Sequence, residues 1–137
     1  MEYTEDAGQR LAAEFMAKMA ARPVKAIYDL ATLGAKTRAG GEVVTASTGM
    51  KMDGHSIACV GDIVRYPDGS ESRIVSGAGA ALAYKDRPMA IVGSATDNGD
   101  TIVSSLQSAG QIVDYADDGG IPGLLRPGYV APTGSGA

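Results

Sequence analysis

The stretch His55-Ser56-Ile57-Ala58-Cys59-Val60-Gly61-Asp62 returns, altered but recognisable, as Arg87-Pro88-Met89-Ala90-Ile91-Val92-Gly93-Ser94. Both copies keep an alanine, one variable residue and then Val-Gly, and Gly61 and Gly93 stand 32 residues apart. A period of a few tens of residues signals one supersecondary unit that has been copied and stacked. Three short segments repeat beside it: Glu42-Val43-Val44-Thr45-Ala46, Arg73-Ile74-Val75-Ser76-Gly77 and Thr101-Ile102-Val103-Ser104-Ser105 share an order of apolar residue, valine and hydroxyl. Three such units predict a small β structure with three-fold character.

Outward from the repeat, the pattern between Gly40 and about Tyr115 is one of short β-branched runs broken by tight-turn punctuation. Asp53-Gly54, Asp68-Gly69 and Asn98-Gly99 are the turn signals. Upstream, residues 6–21 read as an amphipathic helix: Asp6 caps it, Gln9 follows three residues on, and Pro23 stops it. Leu11, Phe15, Met16 and Met19 fall on one face. That face either packs on its own domain or docks a partner or cargo. Pro23 begins a second, weaker helical stretch with Val24, Ile27 and Leu30 every third residue, ended at Gly34. From Asp117 onward the chain is rich in Gly and Pro, with Ile121, Leu124, Leu125 and Tyr129 as isolated anchors. The expected organisation is a helical extension over 1–31, a β domain over 32–115 and an extended tail over 116–137.

A chain of 137 residues suits one domain. With no Trp, a single Phe and 19 Gly, its core must be built from Val, Ile, Ala and Met, and such a thin core is expected to need a partner. The net charge of −4, without any Lys/Arg cluster, excludes nucleic acid and anionic membrane surfaces as ligands. A lone cysteine, Cys59, excludes an internal disulfide. The acidic N-terminus and the lack of a long apolar run predict neither a secretory signal nor a membrane span. One His and one Cys do not assemble a nucleophile, base and orienting group, and the aspartate pairs lie in Gly-flanked turns, so no enzyme is expected.

Taken in order, Leu33-Gly34, Thr37, Gly40-Gly41-Glu42-Val43-Val44, Met52 to Asp62, Ile74-Val75-Ser76-Gly77, Arg87 to Gly93, Thr96 and Gly99 resemble the PAAR-repeat family, named for a proline-alanine-alanine-arginine signature. Ala58, Val60, Gly61, Asp62, Pro88, Ala90, Val92 and Gly93 are the repeat-motif residues, and the resemblance spans roughly residues 32 to 106. It implies a mainly β fold, a small pointed cone of β-hairpins with pseudo-three-fold symmetry. A single copy would cap the blunt end of a trimeric β-helical spike and sharpen the tip of a contractile injection machine, either a type VI secretion apparatus or a phage tail. The spike would cover open strand edges and complete the thin core. The implied location is the cytoplasm before firing, then the tip of the machine or virion tail, with transient contact with the target membrane. The alternative role is an adaptor that loads cargo, or meets a neighbouring tail protein, through the N-terminal helix.

The same resemblance implies a zinc ion bound at the cone's apex by His and Cys. In this chain the corresponding places hold Ala39, then Tyr66 with Asp68, then Ser94 with Asn98. Zinc wants about four nitrogen or sulfur donors in a tetrahedron, so neither zinc nor another cofactor is expected. His55 and Cys59 lie four apart in a strand segment, about 13 Å along the chain, too far to share an ion. Cys59 reads as a small buried hydrophobe and His55 as an exposed or interface polar residue. Without a metal, ion pairs of Arg38 and Arg65 with Asp68, Asp97 and Asp100, joined by Asn98 hydrogen bonds, are expected to tie the apex loops together. The other reading of the three aspartates is a site for a hard cation such as calcium.

Overall fold

The computed structural model describes residues 23–117 and 119–131. The helix expected over residues 6–21, with Leu11, Phe15, Met16 and Met19, lies outside the described residues. Among the described residues the fold is mainly β: β1 (Val24–Asp29), β2 (Glu42–Val43), β3 (Lys51–Met52), β4 (His55–Ser56), β5 (Ile63–Arg65), β6 (Glu71–Arg73), β7 (Ala83–Tyr84), β8 (Arg87–Pro88) and β9 (Gln111–Tyr115), with a 3-10 turn at Gly79–Ala81.

The first strand corrects the sequence reading, which expected helix from Pro23. Val24, Ile27 and Leu30 do recur every third residue, but Val24, Ile27 and Tyr28 are residue types that suit a pleated backbone. A partner far along the chain decides between the two: β9 pairs antiparallel with β1, setting Ile27 opposite Val113 and Tyr28 opposite Ile112. This strand leads directly into the β domain.

Six extended segments then close on one another. β2 pairs with β5 and β5 with β6. Single bridges complete the circuit, from Ile74 to Thr96, Ala95 to Thr101, Ile102 to Thr37 and Lys36 to Glu42. Closure covers strand edges that an open sheet would expose.

The backbone hydrogen bonds recur in three segments. The N–H groups of Gly34, Gly61 and Gly93 donate to the carbonyls of Val43, Ile74 and Ile102, each at 2.8 Å. These three glycines have φ of 89°, 98° and 105°, a left-handed region that L side chains avoid, which explains why the motif ends in glycine. Between segments the bonds pass around a circuit: Ala31 N–H to the Ala90 carbonyl (2.8 Å), Ala90 to Ala58 (2.9 Å) and Ala58 to Ala31 (3.0 Å). Val44, Val75 and Val103 likewise donate to the carbonyls of Ile63, Ala95 and Lys36, each at 2.9 Å. The third copy of the motif is therefore Ala31-Thr32-Leu33-Gly34, masked in the sequence because leucine replaces valine.

The repeated hydroxyls have a matching task. Thr45 Oγ1 accepts the N–H of Ile63 (2.9 Å), Ser76 Oγ that of Ala95 (2.8 Å) and Ser104 Oγ that of Lys36 (3.2 Å). Each hydroxyl thus pins its own segment to the next one around the circuit.

Small side chains fill the interior in two layers. Ala31, Ala35, Val43, Ala58, Val64, Ile74, Ala90 and Ile102 form one cluster inside the ring. Leu30, Ile57, Cys59, Ala78, Met89, Ile91 and Ile112 form the second, where β1–β9 and the β3–β4 and β7–β8 hairpins emerge. The tail covers this second layer. Ile121, Leu124 and Leu125 pack against it, and backbone bonds fasten the tail from Ala80 N–H to the Pro122 carbonyl (2.8 Å), Leu125 N–H to Gly77 (2.8 Å) and Ala131 N–H to Asp86 (2.9 Å). Part of the cover that the sequence reading assigned to a partner comes from the chain itself.

Candidate functional site

The three hairpin loops of the ring meet at one end, where Ala39, Tyr66 and Asn98 each stand five residues beyond the motif glycine. The Tyr66 N–H closes its turn on the Ser70 carbonyl as those of Thr37 and Thr96 do on Gly41 and Asp100. The hairpin carrying Tyr66 is the longest, because β5 and β6 add rungs before the turn at Pro67-Asp68-Gly69. Tyr66 therefore reaches back across the loops, and its ring packs against the ring cluster.

Its hydroxyl is the hub of the apex. It donates to Asp100 Oδ2 at 2.7 Å, receives Asn98 Nδ2 at 3.0 Å and lies 3.2 Å from Ser72 Oγ. The other carboxylate oxygen of Asp100 accepts the N–H of Ala39 (3.1 Å) and of Thr101 (2.8 Å). Asn98 Oδ1 accepts the hydroxyl of Thr96, whose Oγ1 in turn receives the Asp100 N–H at 3.0 Å. One carboxylate thus joins all three loops. Asp100 is only 8% exposed. Burial alone would raise its pKa, but hydrogen bonds from Thr37, Tyr66, Thr101 and Ala39 together outweigh that and hold it below its ordinary 3.8.

The expected ion pairs are replaced by this network. Arg65 lies across its own hairpin on Glu71 at 2.8 Å, because the longer β5–β6 ladder sets those two residues opposite each other. Asp68 turns into its own loop to accept the Ser70 hydroxyl (2.6 Å) and N–H (2.9 Å), which holds its carboxyl below the usual range. Asp97 accepts the Arg73 N–H at 3.1 Å. Arg38 is exposed, and its backbone N–H donates to the Thr101 carbonyl at 2.9 Å. The aspartates therefore face separate partners and do not converge as the calcium reading requires.

The other singled-out residues lie below the apex. Asp62 accepts the N–H of Cys59 (2.9 Å) and the hydroxyl of Thr45 (2.8 Å), closing the turn after Val60-Gly61. Ser94 does the same after Val92-Gly93, accepting the Ile91 N–H at 2.9 Å, so it is a turn residue remote from the apex loops. Pro88 is buried at the end of the β7–β8 hairpin. Cys59 is fully buried beside Ser47. His55 is half-buried in β4 and lines a groove of about 520 Å³ with Leu33, Val44 and Leu106.

These donors do not fit zinc. Ala39 offers a methyl group, Tyr66 a phenol and Asn98 an amide already engaged with the others, while Cys59 belongs to the second core layer and His55 to β4. Among the described residues, no three of His, Cys, Asp and Glu group together as a metal site. Asp100 was the functional residue that sequence reading placed among ion pairs; its true partner, Tyr66, is distant in the chain and carries no charge to advertise the contact.

A closed ring of three similar β segments with hydrogen-bonded apex loops defines the class, and the comparison with known families agrees. The PAAR motif family matches residues 33–104, more than half of the 137-residue chain. The chain belongs to the PAAR motif family, which is associated with spike-tip proteins of contractile injection systems. No curated protein and no solved structure matches it. Among the described residues, no helix is long and apolar enough to cross a membrane.

Proposed function

We propose that this protein is the tip of a contractile injection machine, a pointed cone that caps a trimeric β-helical spike with one copy per trimer. The observation behind this reading is the circuit of bonds through Ala31, Ala58 and Ala90. One chain that presents three equivalent segments about a pseudo-three-fold axis can meet three identical spike chains one by one. The end opposite the apex, where the β1–β9 ribbon and the β3–β4 and β7–β8 hairpins emerge, is the face offered to the spike.

The task is mechanical and requires no turnover. A narrow end whose loops are tied to each other concentrates the thrust of contraction on a small area of the target envelope. The same tip serves a secretion apparatus or a phage tail. Light scattering after size-exclusion chromatography of the protein mixed with its trimeric spike tests the reading. One copy per three spike chains is expected; a free monomer, or a self-trimer that ignores the spike, refutes it.

Cargo loading through the N-terminal extension is a second role, and residues 1–22 of that extension precede β1. Deleting those residues should then abolish cargo delivery and leave spike binding intact.

A further inference from the structure

We propose that the apex of this protein is a metal-independent clamp, in which the bond from Tyr66 to Asp100 joins the three loops in place of the zinc ion that the family resemblance implies. Three observations point to it. The apex loop residues Ala39, Tyr66 and Asn98 supply no zinc donor set. The side chains there are already satisfied by one another: the Tyr66 hydroxyl spends its single proton on Asp100 and accepts from Asn98. Finally, the network spans all three segments, since Ala39 belongs to the first, Tyr66 and Ser72 to the second, and Thr96, Asn98, Asp100 and Thr101 to the third.

The arrangement has the properties a clamp needs. Asp100, Ser72, Thr37 and Thr96 are all buried, and the Tyr66–Asp100 bond at the centre is part-buried, so water competes with it less than at an open surface. The bond at its centre is charge-assisted and short, at 2.7 Å, the stronger kind of hydrogen bond. A metal entering here would have to break these bonds and would find phenol, amide and a single carboxylate in return. The clamp belongs to the isolated chain, so its failure is separable from failure of the spike reading.

The test uses the full chain made in zinc-supplemented medium. Zinc is counted by plasma mass spectrometry, and thermal unfolding is followed with and without a chelator. Less than about 0.1 zinc per chain and an unchanged melting temperature are expected, in contrast to a domain whose folding is coupled to metal. Amide hydrogen exchange then reads the clamp directly, because Ala39 and Thr101 both donate to Asp100. Tyr66→Phe keeps the ring and removes the hydroxyl. Exchange at Ala39 and Thr101 should become roughly tenfold faster while the amides of Ala31, Ala58 and Ala90 are unaffected. One zinc per chain, a chelator-induced fall in melting temperature, or unchanged exchange in Tyr66→Phe overturns the clamp. Should Tyr66→Phe fail to fold, Asn98→Ala, which removes the Nδ2 bond to the Tyr66 hydroxyl at an exposed position, gives the same reading: faster exchange at Ala39 and Thr101 supports the clamp, and no change there refutes it.

Discussion

At the scale of single residues, the alanines of the motif explain themselves by crowding. Ala31, Ala58 and Ala90 exchange backbone bonds around one circuit and are fully buried, so each Cβ points into space already occupied. Ala58→Val adds two methyl groups there and should cost about 1–3 kcal/mol, read as a lower denaturation midpoint at unchanged slope. Cys59 is equally enclosed. Burial pushes its thiol above the ordinary 9.0, with the Ser47 hydroxyl pulling it partly back and Asp62 adding to the rise. A thiol reagent should leave the native protein unlabelled and modify it only on unfolding; labelling within minutes under native conditions would contradict the packing. Asp100 sets a pH dependence whose sign follows from its lowered pKa. A carboxylate with a depressed folded pKa contributes stability above its ordinary 3.8, and that contribution disappears as pH falls through the folded value. Asp100→Asn should therefore melt well below the unsubstituted protein at about pH 7, and the gap should narrow towards about pH 2.5.

Among the elements, the hydroxyl staples carry a specific expectation. Ser76 is buried and its Oγ receives the Ala95 N–H, whereas Ser104 forms the longer of the equivalent bonds. Ser76→Ala leaves a partly buried N–H without its acceptor, and should cost about 1–2 kcal/mol by chemical denaturation. Ser104→Ala should cost less. The same elements show how far sequence reading reaches. The strands around Val43, Ile74 and Ile102 were legible because β-branched residues, a trailing hydroxyl and Gly-bearing turns agree with one another. Turns do form at Asp53-Gly54, Asp68-Gly69 and Asn98-Gly99, with Asp53 and all three glycines at positive φ. β1 was illegible for the opposite reason. Its apolar spacing satisfies two periods, and only pairing with β9 chooses between them.

For the whole molecule, the tail is the feature that separates this protein from a bare ring. Gly79 has a φ of 61°, and a Cβ there would overlap the carbonyl oxygen of Pro122. Gly79→Ala combines a strained backbone with loss of the tail's seat, so it should lower the melting temperature by several degrees, about 2–4 °C for each kcal/mol lost. Limited proteolysis should then cut the variant between residues 117 and 131 faster than the unsubstituted chain. An unchanged melting temperature and cleavage rate would show that the tail adds nothing to the second core layer.

The sequence alone determined the repeat, its β character and the turns that punctuate it. These are properties of local residue type and spacing, and they survive without knowledge of distant contacts. Tertiary structure alone decided that Pro23 leads into a strand, that the tail folds back over the lower core, and that Tyr66 with Asp100 ties the apex loops. Each of those outcomes rests on a bond between residues far apart in the chain, where either local conformation or several partners were compatible with the sequence. Long-range bonds select among them: β1 with β9, the tail with the segment from Gly77 to Asp86, and the first ring segment with the third.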